Sequence, residues 1–401
     1  MASIKLVLLF GIILALTKVR VKIGLAIAIG SVIAGFMFSM DPLQIGSSIY
    51  AGAISLDTFQ LLVILVSVSF LGSLLKESGL ASNLTGAVES LLRSKRASMA
   101  ILPAMIGLLP MPGGALLSAP LVDQAGVHTG VAPKRLAAIN YWFRHVWEYI
   151  WPLYPGIILS ASILDVKAAT IVSAQWPMSV GMIVGGILFL LLPLGKLETH
   201  KNDVRSGRNL ASVFASLWPI FLAVSLSLVF EIRLYIAVTA SLLAFILIRR
   251  FPKRLLLIGL KRAVTFEYVS FVFAVMVFKT VLIDSGAAVQ VAAEITTAGI
   301  DPIWVVMFIP FIIGLISGAT PAFVSLAYPA LLPFIKPDGI DVHMLAVAYT
   351  AGFLGTLLSP LHFCLVLTAE YFKESLTPVY LYIIGPLVVM VAGLLLLIML
   401  T

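Results

Sequence analysis

The chain reads as an all-α polytopic membrane protein built as an inverted repeat. Each half is expected to hold five transmembrane helices and one re-entrant hairpin, giving ten spans and two hairpins. Three observations predict this. The 401 residues are 61% hydrophobic and only 11% charged, with mean hydropathy +1.12, whereas soluble domains carry roughly 25% charge. Two apolar stretches, 101–126 and 308–334, are each broken midway by glycine and proline and then resume. Local signatures also recur at a near-constant offset of 207 or 208 positions. Glu77-Ser78-Gly79 returns as Asp284-Ser285-Gly286, Pro103 as Pro310, and Trp151-Pro152-Leu153 as Ser359-Pro360-Leu361. Chance recurrence of glycine and proline does not hold its register over most of a chain, so a duplication is the better reading.

The elements follow from apolar runs that approach or exceed the ~17 residues needed to cross a bilayer core. The first half, 1–209, gives spans near 3–17, 22–40 and 57–76. The broken segment 97–126 follows, then a helix over 134–164 interrupted at Pro152-Leu153-Tyr154-Pro155-Gly156, then a span near 170–195. The second half, 210–401, gives 211–229, 232–249 and 266–283, the broken segment 302–334, a helix over 342–370 interrupted near Ser359-Pro360, and 378–400. Each arm of a broken segment holds ~12 residues, about half a bilayer at 1.5 Å per residue. Each is therefore expected to enter and leave on one side. Five crossings per half then force the second half into the opposite orientation.

Basic residues agree with that count. Lys18, Arg20 and Lys22, the group Lys76 to Arg135, the group Lys196 to Arg208, and the group Arg249 to Arg262 all fall on one side, with Lys373. Only Lys5, Lys167, Arg233 and Lys336 fall on the other. The positive-inside bias places both termini outside, the basic loops in the cytoplasm, hairpin 97–126 opening from the cytoplasm and hairpin 302–334 from outside. The apolar stretch 6–16 is followed by basic residues rather than by a small-residue cleavage site, so it is expected to be a retained helix and not a signal peptide. The net charge of +8 lies in short loops between spans, a membrane-orientation pattern rather than a nucleic-acid surface. The single cysteine, Cys364, excludes an internal disulfide and a multi-cysteine metal site, and the five histidines lack zinc-like spacing.

Ten spans, two opposed hairpins with Gly/Pro/hydroxyl tips, and an interrupted helix after each hairpin resemble the ion transporter superfamily. That group includes divalent-anion/sodium symporters, gluconate permeases and arsenite permeases, and the chain is similar to an uncharacterised prokaryotic permease family within it. The resemblance implies a homodimer in the cell membrane of a prokaryote, with a fixed scaffold and a mobile domain that carries solute as an elevator. In the sodium/dicarboxylate branch each tip carries a Ser-Asn-Thr triplet. Here the first tip has Pro112-Gly113-Gly114 and the second has Ser317 and Thr320, a departure that speaks against sodium coupling and dicarboxylate specificity.

The cluster Asn140-Tyr141-Trp142-Phe143-Arg144-His145-Val146-Trp147-Glu148 carries the most chemistry. Arg144 lies ~15 Å along its helix, near the bilayer midplane, where charges are functional candidates by default. Arg144 and Glu148 are four apart and are expected to share a helical face. The plain alternative is a local ion pair that only satisfies two buried charges. The functional alternative makes Arg144 an anion contact and Glu148 or His145 the proton carrier, a carboxyl and an imidazole being the groups suited to exchange a proton there. Helix starts at the tips offer free N–H groups and a positive dipole end to an anion. Gly113 and Gly114 let backbone approach it, and Ser317 and Thr320 supply hydroxyls. Asn140 is a further substrate contact. Ser317, Thr320 and Thr356 are the oxygens available to a sodium ion; no other metal and no cofactor is expected. Lys279 is expected to snorkel to the outer interface, and His362 and Cys364 to act mainly in packing.

A secondary transporter of a small organic anion, coupled to protons, fits these features best. A sodium symporter of the same fold is the alternative, and a channel with a hairpin filter is the alternative from another class. Catalytic signatures such as G-x-S-x-G or H-E-x-x-H, and a nucleotide-binding loop, do not occur in the sequence, so an enzyme is not expected.

Overall fold

The structure, a computed structural model, describes residues 1–80, 94–109, 114–195, 197 and 206–399, with side chains of 206–212 left aside. The described residues are helical, without strands. In chain order they form α1 (Ala2–Lys18), α2 (Ile23–Met37), α3 (Pro42–Ile54), α4 (Leu56–Glu77), α5 (Lys95–Gly107), α6 (Gly114–Gly126), α7 (Pro133–Arg144), α8 (Pro155–Leu164) and α9 (Ala168–Gly186). A π turn and a 3₁₀ turn carry α9 on to Leu194. Then come α10 (Ser206–Leu228), α11 (Leu234–Arg249), α12 (Lys253–Ala263), α13 (Phe266–Asp284), α14 (Ala287–Thr297), α15 (Pro302–Ser317), α16 (Thr320–Ile335), α17 (Val342–Leu358), α18 (Phe363–Tyr371) and α19 (Leu376–Met399).

Five stretches are long and apolar enough to cross a membrane: Leu56–Glu77, Ala168–Leu194, Phe266–Asp284, Val342–Tyr371 and Leu376–Met399. That makes the chain a polytopic membrane protein. Helices expected as further spans, including Ile23–Met37 and Leu234–Arg249, are apolar but shorter. Three helices were not expected at all. The sequence pattern left 42–54, 253–263 and 287–297 as connections because none is long enough to span. A local signal did mark the first. Asp41 caps α3 through the Gln44 amide, the Gln44 side chain returns the bond, and Pro42 opens the helix. α12 is instead amphipathic, with Lys253, Arg254, Lys261 and Arg262 at its ends and Leu257 exposed between them.

Both broken segments are paired half-length helices. α5 packs against α6, and α15 against α16. Each of α5, α15 and α16 holds an internal proline. The first tip, 110–113, lies outside the described residues; the second is Gly318-Ala319, between α15 and α16.

Helix partners exchange in pairs. α2 and α3 pack on α13, while α11 and α12 pack on α4; α8 packs on α16, while α18 packs on α6. Single bonds follow the same rule. The Tyr141 hydroxyl donates to the Leu357 carbonyl at 2.9 Å, and 208 positions on the Tyr349 hydroxyl donates back to the Glu148 carbonyl at 3.0 Å. Gly107 packs on the Arg144 carbonyl and, 207 and 208 positions on, Gly314 packs on that of Gly352. In both places a side chain would displace the interrupted helix from its hairpin.

One boundary corrects the expectation. The helix after the first hairpin ends at Arg144 rather than near Pro152, and helix resumes only at Pro155. Turns occupy most of 145–154. Arg144 and Glu148 therefore do not lie on one continuous helix.

Candidate functional site

The ten-residue break positions the site. Its aromatic side chains satisfy the carbonyls that α5 leaves open at its C-terminus. Trp147 Nε1 donates to the Ala104 carbonyl at 2.9 Å, Trp151 Nε1 to that of Leu108 at 3.1 Å, and the Tyr154 hydroxyl to that of Gly107 at 2.6 Å. The break is thereby stitched to α5. The turn between α15 and α16 is held by the second break: His362 Nδ1 donates to the Gly318 carbonyl at 2.9 Å. Gly318 has φ +65°, and a Cβ there would lie 2.7 Å from the His362 nitrogen.

Between the two breaks lies a cavity of about 250 Å³. Arg144, His145 and Glu148 line it from the first break, Thr320 and Pro321 from the second tip, and His362 and Cys364 from the second break. Leu65, Val68 and Ser69 close one wall from the middle of α4. Tyr268, in the first turn of α13, also lines it. Cavities of drug-sized ligands run to roughly 300–1,000 Å³, so this one suits a small solute.

Its electrostatics are set by helix starts as well as by side chains. Pro155 and Gly156 begin α8, Thr320 and Pro321 begin α16, and Phe363 begins α18; all line the cavity. Each start presents unpaired N–H groups and a positive dipole end. Arg144 adds a full positive charge, 4% exposed. Its guanidinium packs on Gly114 so closely that a Cβ there would lie 2.6 Å from a terminal nitrogen. Glu148 lines the same space, and the Tyr349 hydroxyl donates to its backbone carbonyl at 3.0 Å.

The expected site residues divide. Arg144, His145, Glu148 and Thr320 come together around the cavity, and Gly114 touches it through Arg144. Gly113 lies outside the described residues. Asn140 is not part of the lining: its Nδ2 donates to Thr368 Oγ1 at 3.0 Å, tying α7 to α18. Thr356 spends its hydroxyl on the Gly352 carbonyl at 3.0 Å, as a lone threonine in an apolar helix tends to do. Ser317 faces a separate space beside Ile13, Thr17 and Lys18. Lys279 does not simply snorkel. It is largely buried, donates to the Ser162 carbonyl at 3.3 Å and stands 3.9 Å from Asp57.

His362 and Cys364 were underestimated. His362 Nε2 lies 3.1 Å from His145 Nε2, across the boundary between the two breaks, and Cys364 joins them in the lining. Their position just after the Ser359-Pro360 interruption was the available signal.

Residues 2–401 match the family described as Protein of unknown function (DUF401), and the chain belongs to that family. No curated protein matches it.

Proposed function

We propose that this DUF401 protein is a secondary active transporter that moves a small organic anion, coupled to protons, by elevator-type alternating access. The convergence of Arg144 with the starts of α8, α16 and α18 on one cavity carries this reading. A guanidinium and three helix starts gathered at one small cavity favour an anion. Unwound backbone beside apolar helices belongs where protein or water satisfies it, at a transporter's binding site.

The exchange of helix partners and the reciprocal Tyr141 and Tyr349 bonds support a two-fold relation between 1–209 and 210–401. Combined with the one-sided basic loops, it makes the repeat inverted, with both termini outside the cell membrane of a prokaryote. The group α2, α3, α4, α11, α12 and α13 is the scaffold, and it supplies the contacts of a homodimer. The hairpins with their interrupted helices move.

Glu148 carries the proton. It lines the solute space beside Arg144, so protonation alters the charge of the cavity directly. Because helix ends at Arg144, the coupling between the two residues runs through the cavity and its solute rather than along a helical face.

Reconstituted vesicles with imposed gradients test this, with the anion first found by thermal-shift screening. Uptake is expected to follow an inward proton gradient, and Glu148→Gln is expected to abolish that dependence while exchange of anion for anion persists. Uptake that requires sodium, ignores pH and survives Glu148→Gln would refute the coupling mechanism. Unsaturable flux that never accumulates solute would refute the transporter itself.

A further inference from the structure

The two histidines across the breaks are arranged in a way that anion transport does not require. His145 Nδ1 lies 2.6 Å from the Tyr141 carbonyl, and His362 Nδ1 lies 2.9 Å from the Gly318 carbonyl. A carbonyl only accepts, so each ring carries its hydrogen on Nδ1. The two Nε2 atoms then face each other at 3.1 Å with lone pairs and no hydrogen between them. Two neutral rings repel in that geometry unless an electrophile sits at their junction.

The rings are held as metal-ligating histidines are held, with the far nitrogen bonded to a carbonyl that fixes tautomer and direction. Two nitrogens on one tetrahedral ion, each roughly 2.0–2.1 Å from it, stand about 3.3 Å apart, close to the separation here. Cys364 supplies the third donor: its Sγ and the two ring nitrogens all lie within 4.8 Å of one another. Closing to a Zn–S bond of roughly 2.3 Å requires a χ1 adjustment of a half-buried side chain. The donors come from positions 145, 362 and 364, so no sequence spacing announces them.

We propose that His145, His362 and Cys364 form a binding site for a borderline or soft transition-metal ion such as Zn²⁺, joining the first break to the second and leaving one coordination position open to the cavity. Two imidazoles and one thiolate select such ions over Na⁺, Mg²⁺ or Ca²⁺. Coordination releases the Cys364 thiol proton to solvent. The open position faces the space that Arg144 lines, where an anionic oxygen can reach the ion. The site goes beyond the transport mechanism and does not depend on it.

Titration of the full-length, tag-free protein in detergent or nanodiscs with Co²⁺, then displacement by Zn²⁺, tests the site. One cobalt per chain is expected, with tetrahedral d–d bands and a thiolate charge-transfer band. Cys364→Ser should remove the charge-transfer band while histidine-dependent binding remains. His362→Ala and His145→Gln should weaken affinity beyond the roughly 10–100-fold typical of changes to the groups behind the ligands. An octahedral spectrum like that of free cobalt, or binding indifferent to Cys364→Ser, would overturn the proposal. So would ring-nitrogen NMR showing a proton shared between the histidines with no cobalt bound. The same protein in vesicles separates the two ideas. Anion uptake without metal binding removes the metal site and keeps transport; metal binding without uptake does the reverse.

Discussion

Gly318 shows how a single residue fixes the second tip. Its φ of +65° lies in the left-handed region, and the His362 backbone packs where a side chain would begin. Gly299 has nearly the same φ, +67°, with nothing within 4 Å of its Cβ position. The pair separates two costs. An alanine at either site incurs the left-handed penalty of roughly 1–2 kcal/mol, and only the one at 318 also meets backbone at 2.7 Å. Gly318→Ala is therefore expected to lower unfolding stability in detergent clearly more than Gly299→Ala. Equal losses would mean that the tip gives way and that the His362 contact does not constrain it. The glycine-rich tips were legible in the sequence because glycine and proline interrupted an apolar run. The partner of Gly318 was not, because His362 is 44 positions away and reaches it only through the fold.

At the scale of the element, the same contrast explains which boundaries could be read. The second interruption fell where Ser359-Pro360 placed it, since proline disfavours helix in the preceding residue. The first did not. Pro152 and Pro155 pointed to its end, but α7 stops at Arg144, where the side chains of Trp147, Trp151 and Tyr154 turn to the open carbonyls of α5. That is tertiary bonding overriding local propensity, which no window along the chain contains. α1 offers a similar case. Glu294 on α14 accepts the Ala2 and Ser3 N–H groups and the Ser3 hydroxyl, capping α1 from another helix. Those bonds, outside the spans, pull the Glu294 carboxyl down to about 2. The unfolded value is about 4.3, so the folded state gains from this group above that pH and loses the gain as pH falls through about 2. Glu294→Gln is expected to lower the melting temperature by a constant amount from pH 7 to pH 5. The gap to the native chain should narrow as pH drops to 3. A gap independent of pH would show that the carboxylate's charge has no part in the cap.

For the molecule as a whole, the proposed transport cycle assigns a state to the cavity by its extent. Its lining includes Leu65, Val68 and Ser69 near the middle of α4 and Tyr268 in the first turn of α13. That turn follows the basic stretch Arg249 to Arg262, which the positive-inside bias assigns to the cytoplasm. On the proposed topology, this cavity reaches from mid-depth toward the cytoplasm. The reciprocal Tyr141 and Tyr349 bonds and the buried aromatic cluster of Tyr149, Phe323, Tyr349 and Phe353 join the two halves. Within the proposed transport cycle, we infer that this arrangement is the inward-facing one. Single cysteines at Ser69 and Thr320, in a Cys364→Ser background, are expected to react with a membrane-impermeant thiol reagent in inverted vesicles and to be protected in right-side-out ones. Saturating anion should slow Thr320→Cys labelling more than Ser69→Cys labelling, because Thr320 stands at a helix start beside the solute and Ser69 on the wall. Labelling of both positions only from the outside would reverse the topology. Labelling of neither, in protein that still transports, would place the solute path elsewhere than this cavity.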